Sequence, residues 1–207
     1  MKGVILFTDV RGSSRLWARY PKEMLELLVK HESYVRKIVG KYDSLIVKVM
    51  GDAFMVKFSK LEEAVLAAIQ LQTLFAKKPI RFKESMDQIQ IRIGIAEGEL
   101  FSRKVLIQEH KMIDYFGPTV NIASRMESRV SQVGGFAILG DDLESSKPKI
   151  LQLIDQYCVI QKVHFRYHCD PNTPPIRSER LIQCRDASQL QLEDKMEHTA
   201  YSCTLKP

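Results

Sequence analysis

Four apolar residues, Val4 to Phe7, follow one another without interruption before Thr8 and Asp9 end the run. A short continuous apolar stretch of this kind predicts a strand covered on both faces, with a carboxylate delivered at its C-terminal end. From Ser13 the spacing changes: Leu16, Trp17 and Tyr20, then Met24, Leu27, Leu28, His31, Tyr34, Val35, Ile38 and Val39, trace one side of a helical repeat. Pro21 divides this stretch into a short helix and a long one, because proline suits a first helical turn and disrupts an interior. Gly40-Lys41-Tyr42-Asp43 closes the second helix.

Leu45–Val49 and Ala53–Phe58 are rich in β-branched and aromatic residues, and the link Met50-Gly51-Asp52 between them is a hairpin signal. Helical spacing resumes from Leu61 to Phe75. Ile89 to Ile95 alternates with period two, which predicts a strand with one buried face. Residues 100–113 read as a hairpin or an ordered loop. Beyond them the pattern predicts a helix over Asn121–Val130 after Pro118, a short strand over Phe136–Leu139 and a helix over Ile150–Tyr157. Two late strands, Val159–Tyr167 and Arg180–Cys184, flank the proline-rich stretch Asp170–Ile176. This order predicts an α+β domain of the ferredoxin-like kind over residues 1–185, with helices on one side of a mostly antiparallel sheet. From Asp186 to Pro207 the chain is polar and aperiodic, and reads as a peripheral or partly disordered C-terminal extension.

Composition narrows the class. At 207 residues, with 45% apolar and 27% charged residues, the chain has the balance of one soluble globular domain with an appendage. No apolar run approaches the ~20 residues of a spanning helix, and Met1 leads straight into the first strand instead of a signal peptide. A cytoplasmic protein with no membrane segment is expected. The net charge of +6 suits an anionic partner but is spread among acids, with no basic block, zinc finger or aromatic RNA-binding signature, so nucleic acid is not an expected partner. Cys158, Cys169, Cys184 and Cys203 lack metal-ligand spacing and read as reduced thiols.

The chemistry-bearing residues are few. Asp9 ends the first strand and Asp52 sits in the tight turn between the second and third. If those strands are neighbours, the two carboxylates meet at one sheet edge, where they suit hard cations and leave positions open for phosphate oxygens. Taken singly, each is also an ordinary strand terminator or turn residue. Val10-Arg11-Gly12-Ser13-Ser14 runs from Asp9 into a helix, a small-residue turn whose backbone N–H groups suit a triphosphate, although either serine is equally suited to cap the helix.

Phe7-Thr8-Asp9-Val10-Arg11-Gly12-Ser13, Lys48-Val49-Met50-Gly51-Asp52-Ala53-Phe54, Ile93-Gly94-Ile95-Ala96-Glu97-Gly98 and Asp114-Tyr115-Phe116-Gly117-Pro118-Thr119-Val120-Asn121-Ile122-Ala123-Ser124-Arg125 resemble the successive motifs of class III adenylyl and guanylyl cyclases. The likeness runs over residues 3–140 and implies the cyclase catalytic fold. It also implies conversion of a nucleoside triphosphate, with ATP favoured, to a 3′,5′-cyclic nucleotide and pyrophosphate with two Mg²⁺ or Mn²⁺ ions per site. By resemblance, Asp9, Asp52 and the Val10 carbonyl are metal ligands, and the turn Val10, Arg11, Gly12, Ser13, Ser14 faces the phosphates. Lys48 and Asp114 match the base-selecting pair in its adenine form. Asn121 and Arg125, four apart on one helix face, match the residues that orient the ribose and stabilise charge on the α-phosphate.

The family's arrangement further implies a head-to-tail homodimer whose sites draw on both chains. Two phosphate-binding positions are not matched in register. Gly98 is followed by Glu99 where some members carry arginine, with Arg103 nearby, and a late lysine has Lys162 and Arg166 as candidates. Guanylyl or pyrimidine cyclases and a catalytically inactive cyclase-like subunit are the alternatives. The related diguanylate cyclases differ at the hairpin turn, here Met50-Gly51-Asp52-Ala53-Phe54.

Overall fold

The computed structural model describes residues 1–83, 87–107, 110–131, 134–140, 143–167 and 196–206. In chain order they form β1 (Lys2–Val10), α1 (Ser13–Arg19), α2 (Pro21–Val39), β2 (Ser44–Met50), β3 (Ala53–Phe58), α3 (Leu61–Lys77), β4 (Ile91–Glu99), β5 (Phe101–Ile107) and β6 (His110–Phe116). Next come α4 (Pro118–Arg125), a π-helical turn (Met126–Val130), β7 (Gly135–Leu139), α5 (Leu143–Ser146), α6 (Pro148–Tyr157), β8 (Cys158–Tyr167) and β9 (Met196–Leu205).

Seven strands make one sheet in the order β2-β3-β1-β4-β7-β9-β8, and β5-β6 form a separate hairpin. Every neighbouring pair is antiparallel except β4 and β7. Side chains alternate across a strand, so β1 sends Val4, Leu6 and Val10 to one face and Ile5 to the other. The first face packs on Met24, Val35 and Ile38 of α2 and on Ala64, Ala68 and Leu71 of α3. The second packs on Ile122, Ala123 and Met126, from α4 and the π turn. Helical segments therefore cover both faces of the sheet, which corrects the expectation of helices on one side. Hydrophobic spacing shows that a helix has a buried stripe; it does not show which sheet face receives it.

A second correction concerns the C-terminal end. Met196–Leu205 is no peripheral extension but β9, hydrogen-bonded between β7 and β8. The domain thus runs past residue 185. The polar look of this segment is compatible with a central position because its backbone groups are paired on both sides and Ser202 is small enough to be buried there. The expected strand Arg180–Cys184 and the loop Asp170–Ile176 lie outside the described residues, as do Cys169 and Cys184. Cys158 and Cys203 are buried free thiols, and burial pushes the Cys158 thiol up to about 11. No helix among the described residues is long and apolar enough to cross a membrane.

Candidate active site

The β2–β3 turn is tight because Gly51 takes φ +68°, a region that side-chain-bearing residues enter at a cost. It sets Asp52 beside the end of β1, since Thr8 pairs with Phe54 across β1 and β3. Asp9 lies on the sheet face that carries α4, directly opposite Arg92 of β4. Asp52 Oδ2 is buried and accepts no hydrogen bond among the described residues. Burial and then the Asp52 charge push the Asp9 carboxyl above its ordinary range, while Arg92 acts the other way. The Arg92 guanidinium holds Nη2 at 3.3 Å from Asp9 Oδ2 and Nε at 3.0 Å from Glu127 Oε1, the latter without hydrogen-bond alignment.

Behind Asp9, Gly12 caps α1 in the left-handed conformation at φ 66°, and neither Ser13 nor Ser14 caps it by a side chain. Both serines lie inside the first helical turn, whose earliest amides have no intrahelical acceptor. Beside this turn opens a cavity of about 740 Å³ lined by Arg11, Gly12, Arg15, Arg81 and Asp87 among others. Three guanidinium-bearing residues against one carboxylate make it a positive cleft. The side chain of Val10 itself is buried in the core.

Lys48 of β2 and Asp114 of β6 are brought together from different sheets: Nζ lies 2.7 Å from Oδ2. Asp114 Oδ1 accepts from the Tyr115 amide at 2.8 Å, and the Lys48 ammonium lies over the Phe116 ring, 5.3 Å from its centre. No hydrogen bond or ion pair among the described residues joins this pair to Asp9 or Asp52.

Asn121 is exposed on α4 and Arg125, one turn on, is half-buried. Their helix rests on the sheet through Gly94, where an added Cβ would come within 2.1 Å of the Glu127 nitrogen and 2.3 Å of the Ala123 oxygen. Of the remaining phosphate-binding candidates, Arg103 faces Asp114 across the β5–β6 hairpin. Lys162 lies on β8, at the sheet edge opposite β2, with Nζ 2.8 Å from Glu144 Oε1. The side chain of Arg166 is outside the described residues.

Sequence reasoning missed Arg92 and Glu127. The alternation along β4 was the available signal, because it puts Arg92 on the Gly94 face and therefore under the helix that Gly94 admits.

The sequence matches the adenylate and guanylate cyclase catalytic domain family over residues 2–134, and the chain belongs to that family. It is 31% identical over 153 residues to an adenylate cyclase of Podospora anserina, an alignment that covers 66% of this chain and 7% of the fungal protein. The chain therefore spans a small part of that relative's length. Its fold matches that of adenylate cyclases from Trypanosoma brucei in their monomeric state with a TM-score of 0.66 at 18% identity, over 99% of this chain and 94% of that one. The guanylate cyclase domain of RhGC from Catenaria anguillulae in complex with GTP gives 0.65 at 20% identity, over 100% and 97% of the two chains.

Proposed function

We propose that this chain is a nucleotide cyclase that converts ATP to 3′,5′-cyclic AMP and pyrophosphate, working as a head-to-tail homodimer with two Mg²⁺ or Mn²⁺ ions per site. The observation that carries the reading is the carboxylate pair: Asp52 has a buried oxygen with no donor, and Asp9 is raised by burial and by Asp52. Acid oxygens short of donors fit a hard cation. No group of three acidic, histidine or cysteine side chains forms a metal cluster among the described residues, so the Val10 carbonyl and the substrate's own phosphates would complete the ligand set. When bound, the ions supply acidification of the ribose 3′-hydroxyl and neutralise charge on the triphosphate.

The chain's own side chains supply selection and positioning. Lys48 donates to adenine N1 and Asp114 accepts from the N6 amino group; guanine turns an N1–H toward the lysine and O6 toward the carboxylate, so both contacts mismatch. The 2.7 Å pairing of the two side chains supports this, since it holds each ready for a base edge. Asn121 orients the ribose. Arg125 stabilises charge on the α-phosphate while the 3′-oxygen bonds to phosphorus in line and pyrophosphate leaves. The turn Val10–Ser14 and the arginine-lined cleft beside it receive the β- and γ-phosphates.

Each chain carries one copy of the carboxylate set and one of the Lys48–Asp114 set, with no hydrogen bond or ion pair between them among the described residues. A two-fold dimer sets each against the partner's complement and completes two sites at once. Leu45, Val49 and Met50 on β2 and Met112, Ile113 and Phe116 on β6 are exposed apolar residues suited to that contact. The test is complementation. Asp52→Ala and Asn121→Ala chains, each inactive alone, should regain roughly a quarter of wild-type activity after full exchange, because half the dimers are mixed and each has one intact site. No recovery after exchange verified by tagged pull-down overturns the shared site. A preference of the wild type for GTP, CTP or UTP overturns the base assignment.

A further inference from the structure

Arg92 reaches three groups from one planar fork. Nη2 faces Asp9 Oδ2 at 3.3 Å, Nε faces Glu127 Oε1 at 3.0 Å, and Nη1 donates to the Ser128 carbonyl at 3.3 Å. Glu127 is buried and the Arg92 and Asp9 side chains are 25% and 26% exposed, so the junction is partly shielded and differs from the fully solvated surface pairs that contribute little. Glu127 and Ser128 belong to the π turn that continues α4 directly after Arg125. Single π turns inside helices recur at functional sites. This one is packed so closely on Gly94 that it has no room to move toward β4.

We propose that Arg92 is a positioning residue that ties the Asp9 carboxylate to the segment carrying Asn121 and Arg125, so that cation binding at Asp9 is felt along that segment. The inference rests on the carboxylate-pair reading given above. Its physical basis is competition. The Arg92–Asp9 contact is longer than the about 2.7–2.9 Å of a strong charge-assisted hydrogen bond, and a cation at Asp9 repels the guanidinium toward Glu127 and Ser128, which already hold it. In a shared-site dimer, Asp9 serves one site and Arg125 of the same chain serves the other. The tie therefore runs between the two sites and gives each a means of sensing the other's metal, a coupling that must be shown by measurement and not by adjacency alone.

The experiment uses the intact protein and Mn²⁺ alone. Mn²⁺ binding is titrated by the electron paramagnetic resonance of the free ion, and amide exchange is followed in peptides covering 118–130. In the wild type, bound Mn²⁺ should change exchange in that segment. Arg92→Lys keeps a charge near Asp9 but lacks the planar fork. It should leave 118–130 indifferent to saturating Mn²⁺. A response that persists in Arg92→Lys, or is absent from the wild type with Mn²⁺ bound, overturns the tie and leaves the carboxylate reading standing. Failure of the wild type to bind Mn²⁺ overturns both. If Arg92→Lys does not fold, Glu127→Gln exchanges the carboxyl group that faces Nε for an amide and should weaken the response; an unchanged response there overturns the tie.

Discussion

Lys48 Nζ and Asp114 Oδ2 lie 2.7 Å apart although one belongs to the edge strand of the large sheet and the other to the separate β5–β6 hairpin. The hairpin folds over β2, so the pair is a product of tertiary packing. Replacing Lys48 with Glu and Asp114 with Cys should weaken ATP use and improve relative GTP use. Each mismatched hydrogen bond is worth about 1–3 kcal/mol, so the ratio of kcat/KM for the two nucleotides should move by roughly tens to hundreds of fold. Equal loss on both nucleotides would show that the pair holds the hairpin and does not read the base.

Asp9→Ala and Asp52→Ala should each abolish cyclisation without unfolding the protein. Burial and the neighbouring Asp52 charge disfavour the ionised Asp9 carboxyl in the metal-free state, so thermal stability without added metal should hold or rise. Most activity surviving in either variant would remove the carboxylates from the reaction.

Two glycines are required for different reasons and should fail differently. Gly51 has nothing within 4 Å of an added Cβ, but its φ of +68° is strained for alanine, so Gly51→Ala should cost about 1–2 kcal/mol. Gly94 has an ordinary φ and no space: its Cβ would meet the backbone of the α4 segment. Gly94→Ala should cost on the order of 3 kcal/mol or more and should also displace Arg125 and lower kcat. Denaturant midpoints and kinetics on the two variants distinguish the cases.

Burial raises Glu127 from the ordinary 4.5 to about 7, against the opposing pull of Arg92 and with help from Asp9 and Asp52. The native state thus binds this proton more tightly than the unfolded chain does. Its contribution to stability is complete below pH 4.5 and is lost as pH rises to about 7. Glu127→Gln lacks that titration, so its stability relative to wild type should rise across the same window by on the order of 2 kcal/mol. Denaturation curves of both proteins without metal at pH 5 and pH 8 measure this, and a constant difference would contradict the shifted carboxyl.

Much of the fold is written in neighbouring residues. The unbroken run Val4–Phe7, the helical stripe from Met24 to Val39 and the Gly51-Asp52 turn each determine an element locally, because a strand or helix needs only its own period and its ends. The motif spacing also sets Asp9, Lys48, Asp52, Asp114, Asn121 and Arg125 in order along the chain. What the sequence did not determine was pairing. Met196–Leu205 reads as polar tail, yet it is an inner strand, because insertion between β7 and β8 satisfies its backbone while Tyr201 and Cys203 pack into one core cluster and Ala200 into the other. Likewise α4 has a visible apolar stripe, but only the small residue at Gly94 and the packed sheet decide which face it covers. Arg92 and Glu127, each unremarkable in sequence, become one junction with Asp9 because β1 and β4 pair in a register that sets Asp9 opposite Arg92. Local conformation depends on residues within a turn or two; strand partners, sheet faces and buried ion pairs depend on which distant surfaces best exclude water and satisfy one another's polar groups.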